Sequence, residues 1–457
     1  MGDGGGDAWL RRFEGEPGPL YMRLLAALER AIGEGELQPG DQLPSQRAAA
    51  QRLGVDFTTV TRAYALARAR GLIEGAVGRG TFVKGRSEDE AGLIDLSMNL
   101  PPQPLGVPLA RRLEETTRAI LSRTDVATLM AYHPGPGSMA QRRAGAAWMA
   151  PCLGEVSVDR VLACSGAQTA LAALLTLLAP PGGTIVCEAL TYPGLLSVAR
   201  HLGVRVVGCE VDGEGLAPDA LARLCAEAAP AAIYCVPTMQ NPAAVTMGIE
   251  RRRRIVEIAA AAGAPIIEDD AYGRLPSTPS PALASLGVGT VFHLSTLSKC
   301  LTPGLRVAFV AAPDAAWADR LAGALRAVSM MASPLTAAVA TAWIREGVAD
   351  EVLSGLRAEA RARRALAREI LPQARGDDEA IHVWLPLPER WDPARLRDLA
   401  RRRGLALVGA EAFAAGVSPN GVRIALGAPA KRQVLAQALT AVAAILAEGP
   451  GAADVVV

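Results

Sequence analysis

The sequence predicts a two-part chain. A short, mostly helical N-terminal module precedes a large α/β domain with a mostly parallel, doubly wound sheet and a smaller C-terminal α+β part. Three observations predict this division. Basic residues crowd into one short segment near the N-terminus. The same segment carries three helical patterns followed by two strand-like runs turned through glycines. Beyond it, apolar strand-like runs alternate with Ala-rich helical ones.

Residues 1–16 are acidic and Gly-rich and read as a disordered arm. Leu20, Leu24, Leu25, Leu28 and Ile32 then form a helical stripe that Pro39-Gly40 stops. Ser45 stands where an N-cap belongs, before a short helix that Gly54 ends. Asp56 caps a third helix running to about Arg70. Leu72-Ile73 and Thr81–Val83 follow as short strands, joined through Gly75, Gly78 and Gly80. Helix, short helix, turn, helix and hairpin is the outline of a winged helix-turn-helix, placed at 17–84. Residues 42–86 hold eight Lys or Arg (Arg47, Arg52, Arg62, Arg68, Arg70, Arg79, Lys84, Arg86) against Asp56 and Glu74, a net +6. The whole chain carries only +1, so the charge is localised where a phosphate backbone would be met. The first turns of the third helix (Thr58, Thr59, Arg62) would face the major groove, with Arg47 and Arg79 near phosphates or the minor groove. Phe57 opens that helix with a ring that cannot hydrogen-bond a base edge but can pack on a thymine methyl.

Residues 85–92 are charged, lack an apolar period and read as a linker. From 93 to 447 strand-like runs recur at Arg160–Cys164, Thr184–Cys187, Val204–Val211, Ala231–Val236, Ala264–Glu268, Val291–Ser295 and Val307–Ala311, before a tail at 448–457. A ligand of such a sheet sits at the C-terminal ends of its strands. Half the residues are hydrophobic and 20% are charged, which fits a globular chain with a sizeable core. The seven cysteines form no C-x-x-C pair and the four histidines have no ligand spacing, so no metal site is expected. The start does not resemble a secretory signal. The Ala- and Leu-rich stretch 166–180 is shorter than the roughly 20 residues of a bilayer span and is broken by polar residues. A cytoplasmic protein without membrane attachment is the expectation.

Specific motifs sharpen this. PLY at 19–21, LQPGDQLPSQR at 37–47, LGV at 53–55, TVTRAY at 59–64 and GLIEGAVGRGTFV at 71–83 resemble, in order, the winged-helix domain of the GntR family. From about Leu93 to Ala447 the chain resembles the class I aminotransferase fold, fold-type I of the pyridoxal-phosphate enzymes. The motifs are STLSKCLTPGLR at 295–306, IIEDDAYG at 266–273, PTMQNPAAVTM at 237–247, CSGAQTA at 164–170 and TYPG at 191–194.

The resemblance implies pyridoxal 5'-phosphate as cofactor, with Lys299 as its Schiff-base lysine. Arg306 would grip the phosphate, with Thr296, Ser298 and the Ser165–Gly166–Ala167–Gln168 turn beside it. Asp269 would pair with the pyridine nitrogen. Asp270 is the alternative, because many fused regulators show a D-D-Y spacing. Tyr272 and Asn241 would bond the ring hydroxyl and Tyr192 would stack on the ring. Tyr132, in AYHPGPG at 131–137, would reach the partner subunit's cofactor phosphate in a homodimer. Arg423, in GVRIALG at 421–427, would clamp the carboxylate of an amino acid.

Both halves in this order resemble the MocR subfamily of regulators. That implies a pyridoxal-phosphate-dependent regulator of an operator in double-stranded DNA, assembled as a head-to-tail homodimer. It would sense an amino-containing small molecule, or the cofactor itself, through an aldimine at Lys299. The alternative is a catalytically active class I aminotransferase with a regulatory DNA-binding appendage, since transamination uses the same residues. The effector, the operator sequence and the sign of regulation are not written in the sequence.

Overall fold

A computed structural model describes residues 9–13, 18–38, 40–70, 72–76, 80–83, 93–133, 135–417 and 419–450. Arg79, residues 1–8 and 14–16 of the expected arm, the linker 85–92 and residues 451–457 of the tail lie outside these residues. The described residues form two compact units. One holds those before residue 92 together with Gly106–Glu115, and the other holds 93–105 and everything from Thr116 onward.

The first unit is built on α1 (Leu20–Gly33), α2 (Gln46–Leu53) and α3 (Phe57–Ala69). The Ser45 hydroxyl accepts from the Ala48 amide at 3.2 Å and starts α2. Gly54 ends it in the left-handed conformation, at φ 63°. The Asp56 carboxylate accepts from the Thr58 amide at 2.8 Å and starts α3. Val60, Ala63, Tyr64 and Ala67 turn inward, and the Tyr64 hydroxyl donates to the Pro44 carbonyl at 3.0 Å, tying α3 to the entry of α2.

Three short strands, β1 (Gln42–Leu43), β2 (Ile73–Ala76) and β3 (Gly80–Val83), form the wing in the order β1-β3-β2, all antiparallel. The sequence showed two of them. β1 is two residues long, too short to display alternation. Gly80 has φ 116°, and a Cβ there would lie 2.7 Å from Gln42 Nε2 on β1, so both backbone and packing ask for glycine. The expectation of a disordered arm over 1–16 is corrected at residues 9–13. These form a 3-10 turn whose Trp9, Leu10 and Phe13 are buried in one core with Leu24, Leu28 and Tyr64. Three large apolar side chains outweighed the acidic, Gly-rich composition around them.

The second unit centres on a seven-stranded sheet of β5 (Val161–Cys164), β6 (Thr184–Glu188), β7 (Arg205–Cys209), β10 (Ala232–Cys235), β11 (Ile266–Asp269), β12 (Val291–Thr296) and β13 (Ala308–Ala311). A small hairpin, β8 (Val211–Asp212) and β9 (Gly215–Leu216), follows β7. The sheet order is β5-β13-β12-β11-β10-β6-β7. All neighbours are parallel except β13, which is antiparallel to both β5 and β12. Most of these strands are buried along their whole length, so they read as continuous apolar runs.

A smaller sheet, β14 (His382–Pro386), β17 (Gly421–Ala425) and β16 (Val408–Gly409), packs with the helices Val348–Ile370, Pro393–Arg402 and Arg432–Glu448. β4 (Ile94–Asp95) pairs in parallel with β15 (Leu405–Ala406). This is the expected combination of a doubly wound large sheet with a C-terminal α+β part. All seven cysteines are buried and unpaired. Among the described residues no helix is long and apolar enough to cross a membrane.

Candidate functional site

The parallel strands deliver their C-terminal ends to one edge of the sheet, and nearly every expected cofactor residue sits just past such an end. β5 ends at Cys164, before Ser165–Gln168. β6 leads to Tyr192, β10 to Asn241, β11 ends on Asp269 before Tyr272, and β12 leads to Lys299. β13 runs the other way, so its start lies at that same edge and Arg306 stands two residues before it.

Gly166 precedes the helix Ala167–Leu178 with φ 95°, and a Cβ on it would come within 2.8 Å of the Arg306 guanidinium. The missing side chain lets Arg306 lie over the first turn of that helix. Arg306 itself has φ 51°, a left-handed conformation that aims it there. The Gln168 side chain has a role the motif did not suggest. It accepts from the Tyr192 hydroxyl at 3.1 Å and donates to the Gly194 carbonyl at 3.0 Å, fixing the aromatic ring. Ser165 donates to the Met331 carbonyl at 2.8 Å. Thr296 and Ser298 are buried, and their hydroxyls are 3.1 Å apart.

Lys299 is half-buried, and its Nζ donates to the Asn99 carbonyl at 2.5 Å. Burial, and next the Arg423 charge, bring its amine down to about 8. Asp269 is buried at the end of β11, where Tyr234 donates to its Oδ2 at 2.7 Å. Its Oδ1 is buried with no partner among the described residues. Burial raises Asp269 to about 6, which the Tyr234 bond opposes. Asp270 is directed elsewhere. It packs against Gly273 and stands 4.0 Å from His293, whose other nitrogen is 2.9 Å from Glu268. Burial raises Asp270, and the cations acting on it are His293 and Arg252.

The Tyr272 hydroxyl belongs to a chain of bonds whose direction can be worked out. A carbonyl only accepts, so His382 Nε2, 3.1 Å from the Gln240 carbonyl, carries the proton. Burial depresses His382 to about 3, so the ring is neutral and its Nδ1 accepts from the Asn99 amide at 3.2 Å. The same amide donates to the Tyr272 hydroxyl at 2.9 Å. Tyr272 therefore keeps its own proton for another acceptor.

Asn241 and Arg423 meet directly, with Arg423 donating to Asn241 Oδ1 at 2.8 Å. Arg423 also donates to the Ser97 carbonyl, lies 4.9 Å from the Phe413 ring, and has a buried Nε without a partner among the described residues. Burial lowers it to about 10. Tyr132 does not join these buried groups. It is 79% exposed and lines an open groove of about 870 Å³ with Met331, His133 and Arg345.

These residues fit pyridoxal phosphate. The glycine cradle under Arg306 suits a phosphate, the orphaned Asp269 oxygen suits a protonated ring nitrogen, and the Lys299 amine suits an aldehyde. Motifs missed Asn99, Ser97, Tyr234, His382 and Phe413. They lie on other segments and carry no signature at their own positions.

In the first unit Thr58 is exposed and Thr59 half-buried on α3. Arg62 is exposed too, stacked on the Tyr21 ring at 4.0 Å, and Arg47 is exposed on α2. These side chains remain on the outer side of the helices whose inner side is core.

Comparison with known proteins places both halves. Residues 20–83 match the bacterial regulatory proteins of the gntR family, and residues 91–442 match aminotransferase class I and II. Over 445 residues the chain is 30% identical to the uncharacterized HTH-type transcriptional regulator YdeF of Bacillus subtilis (strain 168), covering 94% of this chain and 95% of that one. It is 28% identical over 343 residues to aromatic-amino-acid aminotransferase 1 of Thermococcus litoralis, covering 71% of this chain and 81% of the enzyme. The crystal structure of the multiple substrate aminotransferase from Thermococcus profundus superposes with a TM-score of 0.71 at 24% identity, covering 79% of this chain and 92% of that one. The chain therefore belongs to the MocR-type regulators, in which a GntR-family DNA-binding domain is fused to a pyridoxal-phosphate-dependent domain of the class I and II aminotransferases.

Proposed function

We propose that this regulator holds pyridoxal phosphate at Lys299 and alters its grip on an operator when an amino acid or related amine enters the same pocket. When bound, the cofactor supplies an aldehyde that condenses with primary amines and a ring that withdraws electrons. Arg306, Thr296, Ser298 and the Gly166 turn hold the phosphate. Asp269 rather than Asp270 pairs with the ring nitrogen, Tyr272 donates to the ring hydroxyl, and Tyr192 covers the ring. Tyr132 completes the partner subunit's site in a head-to-tail homodimer in the cytoplasm.

Arg423 carries the effector part of this reading. Its guanidinium is buried, yet no carboxylate lies within ion-pair reach among the described residues. Its hydrogen-bond partners are an amide and a carbonyl, both neutral, and the Asp95 carboxylate acts on it only from beyond ion-pair distance, so this buried cation is poorly compensated and costly. A ligand carboxylate supplies the missing charge with two parallel bonds, while the ligand's amine lies toward the cofactor.

A second reading has its own support, because Lys299, Asp269, Tyr272, Arg306 and Arg423 are also the set that transamination would use. One paired experiment separates the two. Visible absorbance of the cofactor and binding to a duplex selected from a random library are measured for wild type and Lys299→Ala, with and without amino acids. A regulator shows sequence-selective binding that shifts with an amino acid, and the variant loses both the cofactor band and the shift. Brisk transfer to a keto acid, with DNA binding that is weak, salt-sensitive and unselective, identifies an enzyme instead. Binding that follows the cofactor alone and ignores amines makes the cofactor itself the signal.

A further inference from the structure

α3 offers its outer face at Phe57, Thr58, Thr61 and Arg62, all exposed, while Val60, Ala63, Tyr64 and Ala67 are buried. Polar groups on that face are already engaged. The Thr58 hydroxyl donates to Asp56 Oδ1 at 2.5 Å. The single Thr61 proton is shared between Gln46 Oε1 and the Phe57 carbonyl, each at 2.9 Å. The Arg62 guanidinium lies over Tyr21.

Phe57 is different. Its ring is 46% exposed at the first position of the helix; among the described residues of the unit, Leu20 at 43% and Leu113 at 45% are the other large apolar side chains so exposed. An aromatic ring left nearly half in water at the head of the helix adds little to the core beneath it.

The leading turns of such a helix enter the major groove. There the ring meets either charged phosphates, which it cannot bond, or base edges. The one apolar group that any base presents on that edge is the C5-methyl of thymine. We infer that the Phe57 ring packs on a thymine methyl, fixing a T·A pair at one position of each operator half-site. This rests on the DNA-binding function of the first unit and adds what that unit reads.

Deoxyuridine differs from thymidine only by this methyl, so its substitution tests the contact without disturbing base pairing. The full-length protein selects its operator from a random duplex library, and each thymidine in the selected site is replaced in turn by deoxyuridine. One symmetry-related pair of positions should weaken binding by about three- to fivefold per methyl, the size of one methyl group returned to water. In Phe57→Ala the same substitution should make no difference, while Phe57→Leu keeps part of it. The ring is on the surface, so Phe57→Ala should melt as wild type does and bind unselected DNA equally well.

If no thymidine is sensitive, or if the sensitivity survives in Phe57→Ala, the inference is overturned and the DNA-binding function stands. If Phe57→Ala instead changes the oligomeric state and leaves operator binding intact, the ring is an interface residue and the inference also fails. If the library yields no enriched sequence, selective DNA binding fails together with the inference.

Discussion

Asn99 contributes two different atoms to the pocket: its carbonyl accepts from Lys299, and its amide donates to Tyr272. No motif pointed to it, because a bond reaching across 200 residues of sequence leaves no local pattern. Tyr234 and His382 escaped notice for the same reason, each sitting inside a strand whose other residues are apolar core. Lys299, Asp269 and Arg306 were legible because they stand in STLSKCLTPGLR and IIEDDAYG, motifs that resemble those of the class I aminotransferases. Gly166 is the sharpest of these demands. In Gly166→Ala the new methyl would fall 2.8 Å from Arg306 at a φ of 95°, so the guanidinium has to leave the helix N-terminus. Affinity for pyridoxal phosphate should drop by roughly tenfold or more, the size of one lost charge-assisted contact. Pyridoxal, which has no phosphate, should bind the two proteins alike. Cofactor titration followed by absorbance checks this, and an equal loss for both compounds would mean general damage instead.

Among the elements, those the sequence displayed best have either strong caps or unbroken apolar runs. Ser45 and Asp56 announced α2 and α3, and the inner strands announced the sheet. The antiparallel direction of β13 was invisible, since strand direction depends on the connection and not on composition. The turn at residues 9–13 was hidden by its acidic, Gly-rich surroundings, although Trp9 is fully buried in the core of the first unit. Trp9→Ala should therefore cost that unit about 3–5 kcal/mol, as for a large aromatic removed from a packed core. Melting of the full-length protein should show a lowered transition accompanied by loss of operator binding. Cofactor absorbance, which reports the second unit, should persist to the wild-type temperature. A variant that melts as wild type would show that the turn is an ornament on a core formed without it.

At the scale of the whole molecule, the question is whether one chain contains a complete site. Tyr132 is 79% exposed, while the other expected cofactor residues, apart from the exposed Arg306, are buried or half-buried at the sheet edge. The second unit also exposes Met98, Leu121, Val126, Met130, Met139 and Met330. In the proposed two-fold dimer each chain's Tyr132 would serve its partner's site, and symmetry makes this testable by mixing. Tyr132→Ala removes the phosphate contact from both sites of a homodimer, and Lys299→Ala removes the lysine from both. Unfolding and refolding the two variants together yields mixed dimers. In each of these, one site pairs an intact Lys299 with an intact Tyr132 from the other chain, and the second site carries both defects. With random pairing, about a quarter of all sites should recover wild-type cofactor affinity and absorbance, although neither parent has a single intact site. Were Tyr132 to serve the site of its own chain, mixing would restore nothing, since every site would keep one defect.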